Sequence, residues 1–312
     1  KSLALGSVYI VIALGFVIIF KGTQVLNFAA GALSMAGAMF MAIMVADGGL
    51  PFLPFDNPIA PSADDPNLFV WLINLLVVLV IAAAFGLVIE RVAIRPMVGQ
   101  PLFAMAVITL GIEIAIRPFN LDATAIEARS LNVPWGAEAW ELAGAQIPKS
   151  YVAAMIFAAI AGVVVIAFYR SRLGVAMRAV AFDQEAAMAQ GINVGRVFAI
   201  AWGLGAALAA LGAIIYGMAP FPPGGQVSQE IHPILALRVL PVIVLGGLDS
   251  ASGAVYGGLI IAGAEVFAGE YLSQWNSTLG SGYSTIVPYV VMLIVLVVKP
   301  YGLFGTPEVR RV

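Results

Sequence analysis

Two glutamates stand inside apolar stretches, where an ionised side chain is costly and usually has a partner or a function. Glu113 is followed four residues later by Arg117. Residues four apart share one face of a helix, so these two side chains can pair. The carboxylate could bind a proton or a substrate amine, or it could form only a local ion pair near one end of its helix. The local ion pair is the favoured interpretation.

The second glutamate, Glu265, has no basic neighbour at helical spacing. Arg238 lies in the preceding apolar stretch and could pair across helices with either acid. A buried arginine without a counter-charge carries a large desolvation cost. The sequence therefore predicts that Arg238 pairs with one of the two glutamates.

A short polar segment carries a third set of informative residues. Asp183 is suited to cap a helix N-terminus, Glu185 falls in the first turn where the helix dipole favours an acid, and Gly191 can end the helix. The segment predicts a compact helix between two apolar stretches. Such a helix can dock into a groove on a partner protein, or it can be an ordinary surface helix.

The elements that position these residues belong to a membrane protein. Of 312 residues, 62% are hydrophobic and 10% are charged, with a mean hydropathy of +1.01. Soluble proteins carry about 25% charged residues. The chain has no cysteine and one histidine, which excludes thiol catalysis and a histidine-rich metal centre. A net charge of −2 excludes nucleic-acid binding by the chain as a whole.

Apolar runs suited to membrane crossing recur along the chain, and a helical span needs roughly 20 such residues. They lie at 3–20, 25–46, 69–89, 102–116, 151–169, 198–218, 234–245, 254–267 and 286–298. The pieces 234–245 and 254–267 are short and could form two spans or one re-entrant hairpin. The sequence thus predicts an all-α polytopic bundle of about eight to ten spans, with short or re-entrant segments.

The bend between the two short pieces contains Gly246, Gly247 and Ser250. Irregular backbone at membrane depth is tolerated only where protein or a water-filled cavity surrounds it. We therefore expect these three residues near a transport pathway.

Lysine and arginine residues indicate the orientation, because they favour the cytoplasmic side. Most of them lie in three segments: Arg91 and Arg95; Arg170, Arg172, Arg178 and Arg196; and Lys299, Arg310 and Arg311. When successive apolar runs cross the membrane in alternating directions, all three segments fall on the same side. This predicts about nine crossings with the N-terminus outside. We expect one transmembrane domain over 1–312, a small extracytoplasmic insertion at 118–150 and a cytoplasmic loop at 170–197.

Several short motifs stand in order along the chain. Glu185-Ala186-Ala187 is followed by Gly191, and further motif segments lie at 6–15, 25–31, 171–179, 244–258 and 300–305. The first motif resembles the EAA signature of importer permeases, and the whole set in this order resembles the branched-chain amino acid permeases of ATP-binding-cassette importers. The resemblance departs at Ala30, where the family commonly has histidine.

The resemblance implies roles for particular residues. The cytoplasmic segment would be the coupling helix that sits in a cleft of the ATPase; its residues are Arg178, Asp183, Glu185, Ala186, Ala187 and Gly191. Asn27, Gly31 and Ser34 would lie near the pathway. Alternatively, Asn27 caps the second helix, and the two small residues are helix-packing contacts.

The resemblance also implies partners: two ATP-binding subunits, a second related permease, an extracytoplasmic substrate-binding protein, and the lipid of a bacterial cytoplasmic (inner) membrane. ATP and magnesium would be used by the partner subunits, and this chain would bind no cofactor. The substrate would be a branched-chain amino acid or a similar small amphipathic solute.

A phosphate-binding loop needs lysine after glycine, and none of Lys1, Lys21, Lys149 and Lys299 follows a glycine.

The sequence also bears on two other classes of function. An ion-coupled secondary transporter would need charged sites at the membrane midplane, whereas both glutamates are expected near helix ends. A membrane enzyme would need convergent nucleophile, acid and base groups, and one histidine without cysteine makes it a poor alternative.

Overall fold

The computed structural model describes residues 1–61, 67–97, 100, 102–124, 128–142, 144–218, 226–227, 231–272 and 283–306. Within these ranges the chain forms eleven α-helices and three small two-stranded sheets. The helices are α1 (Ser2–Thr23), α2 (Ala30–Ala42), α3 (Leu68–Ile89), α4 (Leu102–Thr124), α5 (Lys149–Arg170), α6 (Arg172–Phe182), α7 (Gln184–Ala189), α8 (Val194–Gly217), α9 (Ile231–Gly246), α10 (Ala251–Tyr271) and α11 (Tyr283–Val298). The strands are β1 (Gly49–Leu50), β2 (Leu53–Asp56), β3 (Arg129–Ser130), β4 (Ala139–Leu142), β5 (Ala145–Pro148) and β6 (Gln226–Val227).

Six helices of the described part are long and apolar enough to cross a membrane. They are α1, α2 with its π-helical extension to Asp47, α3 with its extension to Met97, α5, α8 and α10. Two shorter apolar helices, Leu237–Gly246 within α9 and Ser284–Val298 within α11, come in addition. Together with α4, the described part of the chain has nine such helices, and nine is also the number of crossings that the sequence predicts.

Contacts between helix ends sort those ends onto two faces of the bundle. On one face, the Lys21 ammonium lies 5.2 Å from the Tyr169 ring centroid, and Arg95 donates to the Gly195 carbonyl at 3.0 Å. On the other face, Lys1 pairs with Glu270 at 2.5 Å, and Arg129 pairs with Asp47. The first face carries most of the arginines, so it is the predicted cytoplasmic face.

Helix α1 is the centre of the bundle, and small residues let its neighbours approach closely. A Cβ placed on Gly15 would lie 2.8 Å from the Gly205 carbonyl oxygen of α8. On the other side of α1, a Cβ on Gly6 would lie 3.4 Å from the Gly258 carbonyl oxygen of α10. Close backbone packing of this kind is the usual basis of helix association in membranes.

The structure decides between the alternatives for 234–267 in favour of two separate helices. The second one, α10, has 21 residues and continues to Tyr271, well past the apolar run. The first one, α9, contains Pro241, which removes the donor for the Leu237 carbonyl. The Tyr289 hydroxyl of α11 donates to that carbonyl at 2.9 Å, and such a replacement lets proline persist inside a membrane helix.

The region predicted as an insertion at 118–150 divides into helix and hairpin. Helix α4 runs through Pro118 to Thr124, so the first residues of that range are helical. Strands β4 and β5 form an antiparallel hairpin directly before α5, and β3 pairs with β6. The Trp71 indole donates to the Leu131 carbonyl at 3.0 Å, which ties this segment to the start of α3.

Candidate functional site

One face of α4 holds the irregular segment that links α1 to α2. Thr109, Glu113 and Arg117 recur at four-residue spacing and therefore share this face. The Thr109 hydroxyl accepts from the Phe28 backbone N–H at 3.1 Å and lies 2.9 Å from the Leu26 carbonyl. The linker thus exchanges backbone hydrogen bonds with a side chain, which is how non-helical backbone is satisfied at membrane depth.

Glu113 sits at the centre of this arrangement. Its Oε2 accepts from the Ala32 N–H in the first turn of α2 at 2.7 Å, and its Oε1 accepts from Arg117 Nε at 3.0 Å. The expectation that Glu113 lies near a helix end is wrong, because α4 spans Leu102–Thr124 and Glu113 is its middle residue. The local pair with Arg117 is confirmed.

A cavity of about 190 Å³ opens beside this ion pair. Its polar wall is formed by Asn27, Glu113 and Arg117. Most of the remaining lining is apolar and comes from α1 and α9; it includes Ile12, Phe16, Leu237, Leu240 and Ile243. The arrangement places a carboxylate, a guanidinium and an aliphatic surface around one space, which suits a small amphipathic molecule.

Of the predicted pathway residues in and just before α2, one lines the cavity and two are buried within the bundle. Asn27 lines the cavity, and its side chain accepts from the Ala29 N–H at 3.1 Å. Asn27 does not cap α2, whose N-cap is Ala29. Its side chain closes an Asx turn just before the helix begins. Gly31 and Ser34 are buried, and the Ser34 hydroxyl donates to the Ala30 carbonyl at 2.7 Å.

The second intramembrane acid is bound across three helices. Glu265 of α10 accepts from Arg238 of α9 at 3.0 Å and from the Tyr9 hydroxyl of α1 at 2.6 Å. Of the two pairings that the sequence allows for Arg238, the structure shows the one with Glu265. This cluster borders a separate cavity of about 310 Å³, which Lys1 and Tyr151 also line.

The predicted pathway residues at the α9–α10 bend lie in a turn on the arginine-rich face. Ser250 caps α10 by accepting from the Gly253 N–H at 3.0 Å. Gly246 precedes the turn and Gly247 has a φ of +104°, against the backbone of Phe304 and Gly305. The structure does not bring these three residues to the cavity that Asn27 lines.

The cytoplasmic segment forms two helices joined at Asp183. Asp183 has an extended backbone and accepts from the Ala186 N–H at 2.9 Å, so it is the N-cap of α7. Glu185 and Ala186 are exposed in the first turn, whereas Ala187 is buried. Gly191 follows the helix with a φ of +79°, a conformation that favours glycine.

Helix α6 connects this segment to the bundle. Met177 and Val180 are buried, and the Met177 Cε would lie 3.0 Å from a Cβ on Gly22 of α1. The Arg178 guanidinium donates to the Tyr169 carbonyl at the end of α5 at 2.7 Å. Arg178 also lines a cavity of about 450 Å³ together with Lys21 and Asp249. The helix pair is therefore in contact with the ends of α1 and α5.

Three residues with important contacts escaped the sequence analysis. Thr109 lies one turn before Glu113, and the four-residue spacing could have indicated it. Glu90 is buried and pairs with Arg95 at 3.0 Å; its i+5 spacing fits the π-helical turn Glu90–Ile94 rather than a regular helix. No local sequence pattern points from Tyr9 to Glu265.

Comparison with known proteins decides the family. The model of the family described as branched-chain amino acid transport system / permease component matches residues 1–296. This chain belongs to that family. It is a membrane-spanning permease subunit of an ATP-binding-cassette transporter, a multi-pass protein of the bacterial cytoplasmic membrane, and its family implies ATPase and substrate-binding components as partners.

Two curated relatives match over nearly their full length. The chain is 29% identical to the high-affinity branched-chain amino acid transport system permease protein LivH of Salmonella typhimurium, over 100% of this chain and 96% of the relative. It is equally identical to the corresponding protein BraD of Pseudomonas aeruginosa, again over 100% of this chain and 96% of the relative. Membership of the permease family leaves the ion-coupled transporter without support.

Proposed function

We propose that this chain is one of two related permease subunits in an ATP-driven importer of branched-chain amino acids. Two ATP-binding subunits use ATP and magnesium, and an extracytoplasmic binding protein delivers the substrate. The chain itself hydrolyses nothing, in keeping with four lysines none of which follows glycine. Support for the substrate comes from the full-length likeness to permeases of that name.

The observation that carries the coupling role is the exposed apolar surface of the α6–α7 segment. Phe182 is 83% exposed and Met188 is 55% exposed, at the end of α6 and within α7. Neither residue belongs to a helix long enough to span the membrane. Exposed apolar side chains that form a patch outside the bilayer mark protein interaction sites. A short helix presenting such residues suits a groove on an ATPase.

The geometry suggests how the docked helix pair would drive alternating access. Force applied to α7 reaches α6 across the Asp183 junction, and α6 contacts both Gly22 of α1 and the Tyr169 carbonyl of α5. The pathway runs between the two permeases, so this chain supplies half of it. The coupling segment of 170–197 and its residues Arg178, Asp183, Glu185, Ala186, Ala187 and Gly191 thus act together.

A pull-down in mild detergent from the native membrane tests the proposal. We expect two P-loop ATPases to co-elute with the wild-type chain and to hydrolyse ATP. Phe182→Asp or Met188→Asp should remove at least nine-tenths of the bound ATPase, by the usual cost of a charge in a hydrophobic interface. Phe55→Asp is the matched control, because Phe55 is equally apolar, 63% exposed and on strand β2 away from α7.

Gly191 offers a second matched pair of variants. Valine is strained at a φ of +79°, whereas asparagine adopts this region more readily. Gly191→Val should weaken ATPase binding and Gly191→Asn should largely preserve it. Co-elution of no ATPase with the wild-type chain, together with leucine uptake that depends on an ion gradient in proteoliposomes, would overturn the proposal.

A further inference from the structure

The cavity beside Glu113 has the chemical complementarity of a free amino acid with an aliphatic side chain. We propose that it is the subsite in which this chain holds the passing substrate: Glu113 binds the ammonium, Arg117 binds the carboxylate, and the α1–α9 wall binds the side chain. The inference rests on the proposed function, and it names the residues that bind the substrate.

The charges are placed for this task at membrane depth. Glu113 is 8% exposed and lies at the middle of α4. Each carboxylate oxygen has two acceptor positions. In the described contacts, Oε1 receives both Nε and Nη2 of Arg117, and Oε2 accepts from the Ala32 N–H, which leaves the second position of Oε2. An ammonium can therefore join without displacing either contact.

Arg117 is unusual for its exposure. Its side chain is 53% exposed although it lies in the second half of α4, and it contacts Glu113 through Nε and Nη2. A guanidinium facing lipid at this depth is costly, so such residues face protein or a water-filled space. The exposed guanidinium therefore marks this side of α4 as the side of the pathway. Arginine also binds carboxylates well because its planar fork matches their geometry.

The opposite wall supplies the apolar part of the recognition. Ile12 and Phe16 of α1 line the cavity together with Leu240 and Ile243 of α9. Pockets for drug-sized ligands begin at about 300 Å³; a cavity of about 190 Å³ is suited to a smaller solute such as a single amino acid.

Uptake by the complete transporter tests the inference. Proteoliposomes would contain both permeases and both ATPases, with ATP inside and the binding protein loaded with radiolabelled leucine or valine outside. The readout is substrate taken up per ATP hydrolysed. A purely structural defect would lower assembly and ATP hydrolysis together, whereas loss of the subsite lowers uptake while hydrolysis continues.

The charge variants should uncouple hydrolysis from uptake. We expect Arg117→Gln and Glu113→Gln to lower leucine uptake per ATP at least tenfold. Glutamine retains an oxygen that can accept from the Ala32 N–H, so the start of α2 keeps that acceptor. Lys149→Gln is the control, because Lys149 pairs with Glu138 in another part of the molecule; it should leave uptake unchanged.

The size of the cavity provides an independent test that leaves both charges in place. Leu240→Phe should lower the ratio of leucine to valine uptake severalfold, and Leu240→Ala should raise it. The two Leu240 variants test the subsite even if the charge variants fail to assemble. Wild-type uptake together with an unchanged ratio in both Leu240 variants would overturn the inference alone. A wild-type complex that takes up no leucine would overturn both the inference and the proposed function.

Discussion

The two intramembrane ion pairs differ in what they connect. Arg238 and Glu265 belong to different helices, and Tyr9 of a third helix donates to the same carboxylate. Glu113 and Arg117 belong to one helix, and half of the Arg117 side chain remains exposed. The first pair joins two helices and holds the hydroxyl of a third, whereas the second lies within one helix and leaves its arginine half exposed beside a cavity. Charge at membrane depth therefore has two different uses in this chain, and four predictions distinguish them.

The largest effect on stability is expected when the interhelical pair loses its acid. Glu265→Ala leaves the largely buried Arg238 without its carboxylate, which costs about 3–5 kcal/mol for buried pairs. Thermal unfolding in mild detergent should show a sharply lowered midpoint. The double variant Glu265→Leu with Arg238→Met should recover much of the loss. A single variant as stable as the wild type would show that this pair does not hold the helices.

Tyr9→Phe tests the third member of that cluster. It removes the hydroxyl that donates to Glu265 Oε2 at 2.6 Å, and a hydrogen bond to a charged group contributes about 1.5–3 kcal/mol. The unfolding midpoint should fall, by less than for Glu265→Ala. Tyr271→Phe is the control because Tyr271 is 69% exposed. Equal midpoints for the two phenylalanine variants would contradict the role of Tyr9.

Glu113→Ala should have a smaller effect on stability. It removes the acceptor that Glu113 provides to the first turn of α2, and loss of a helix-capping acceptor costs about 0.5–2 kcal/mol. Glu113→Gln should unfold close to the wild type because its amide oxygen can still accept. Circular dichroism during heating compares the two variants. Equal destabilisation by both would mean that the negative charge, not the acceptor, holds α2.

Arg117→Gln should have the smallest effect on unfolding. Exposed ion pairs contribute about 0–1 kcal/mol, and pairs four residues apart about 0.3–0.5 kcal/mol. A double-mutant cycle of Glu113→Gln and Arg117→Gln measures this coupling. A coupling energy near that of the Arg238–Glu265 pair would remove the distinction between the two pairs. An Arg117→Gln variant that unfolds like the wild type and yet takes up less leucine would distinguish the two ion pairs most clearly.

Local sequence was enough to predict the features that depend on neighbours along the chain. Asp183 caps α7 and Gly191 ends it with a positive φ, as capping preferences indicate. The Glu113–Arg117 pair follows from the same helical spacing. The depth of Glu113 was misjudged because α4 continues through Pro118 to Thr124, beyond the apolar run that defined the predicted span.

The α9–α10 bend shows what the local sequence could not predict. Its glycines were expected near the pathway because they interrupt an apolar region. They lie in a turn where Gly247 fits closely against the backbone of Gly305. The C-terminal segment binds there, with Leu303 N–H donating to the Leu245 carbonyl at 2.8 Å. Because the two segments lie about sixty residues apart in the sequence, no local sequence pattern indicates this contact.

The sequence alone determined that this protein is a helical membrane bundle, because apolar runs of span length admit few other solutions in a bilayer. It also determined the caps of the cytoplasmic helix and the ion pair within α4, since both depend on residues a few positions apart. Only the tertiary structure decided that Arg238 meets Glu265 and Tyr9, and that Glu113 accepts from the first turn of α2 beside a cavity. Those contacts depend on how separate helices pack, and hydrophobic periodicity constrains that packing only loosely.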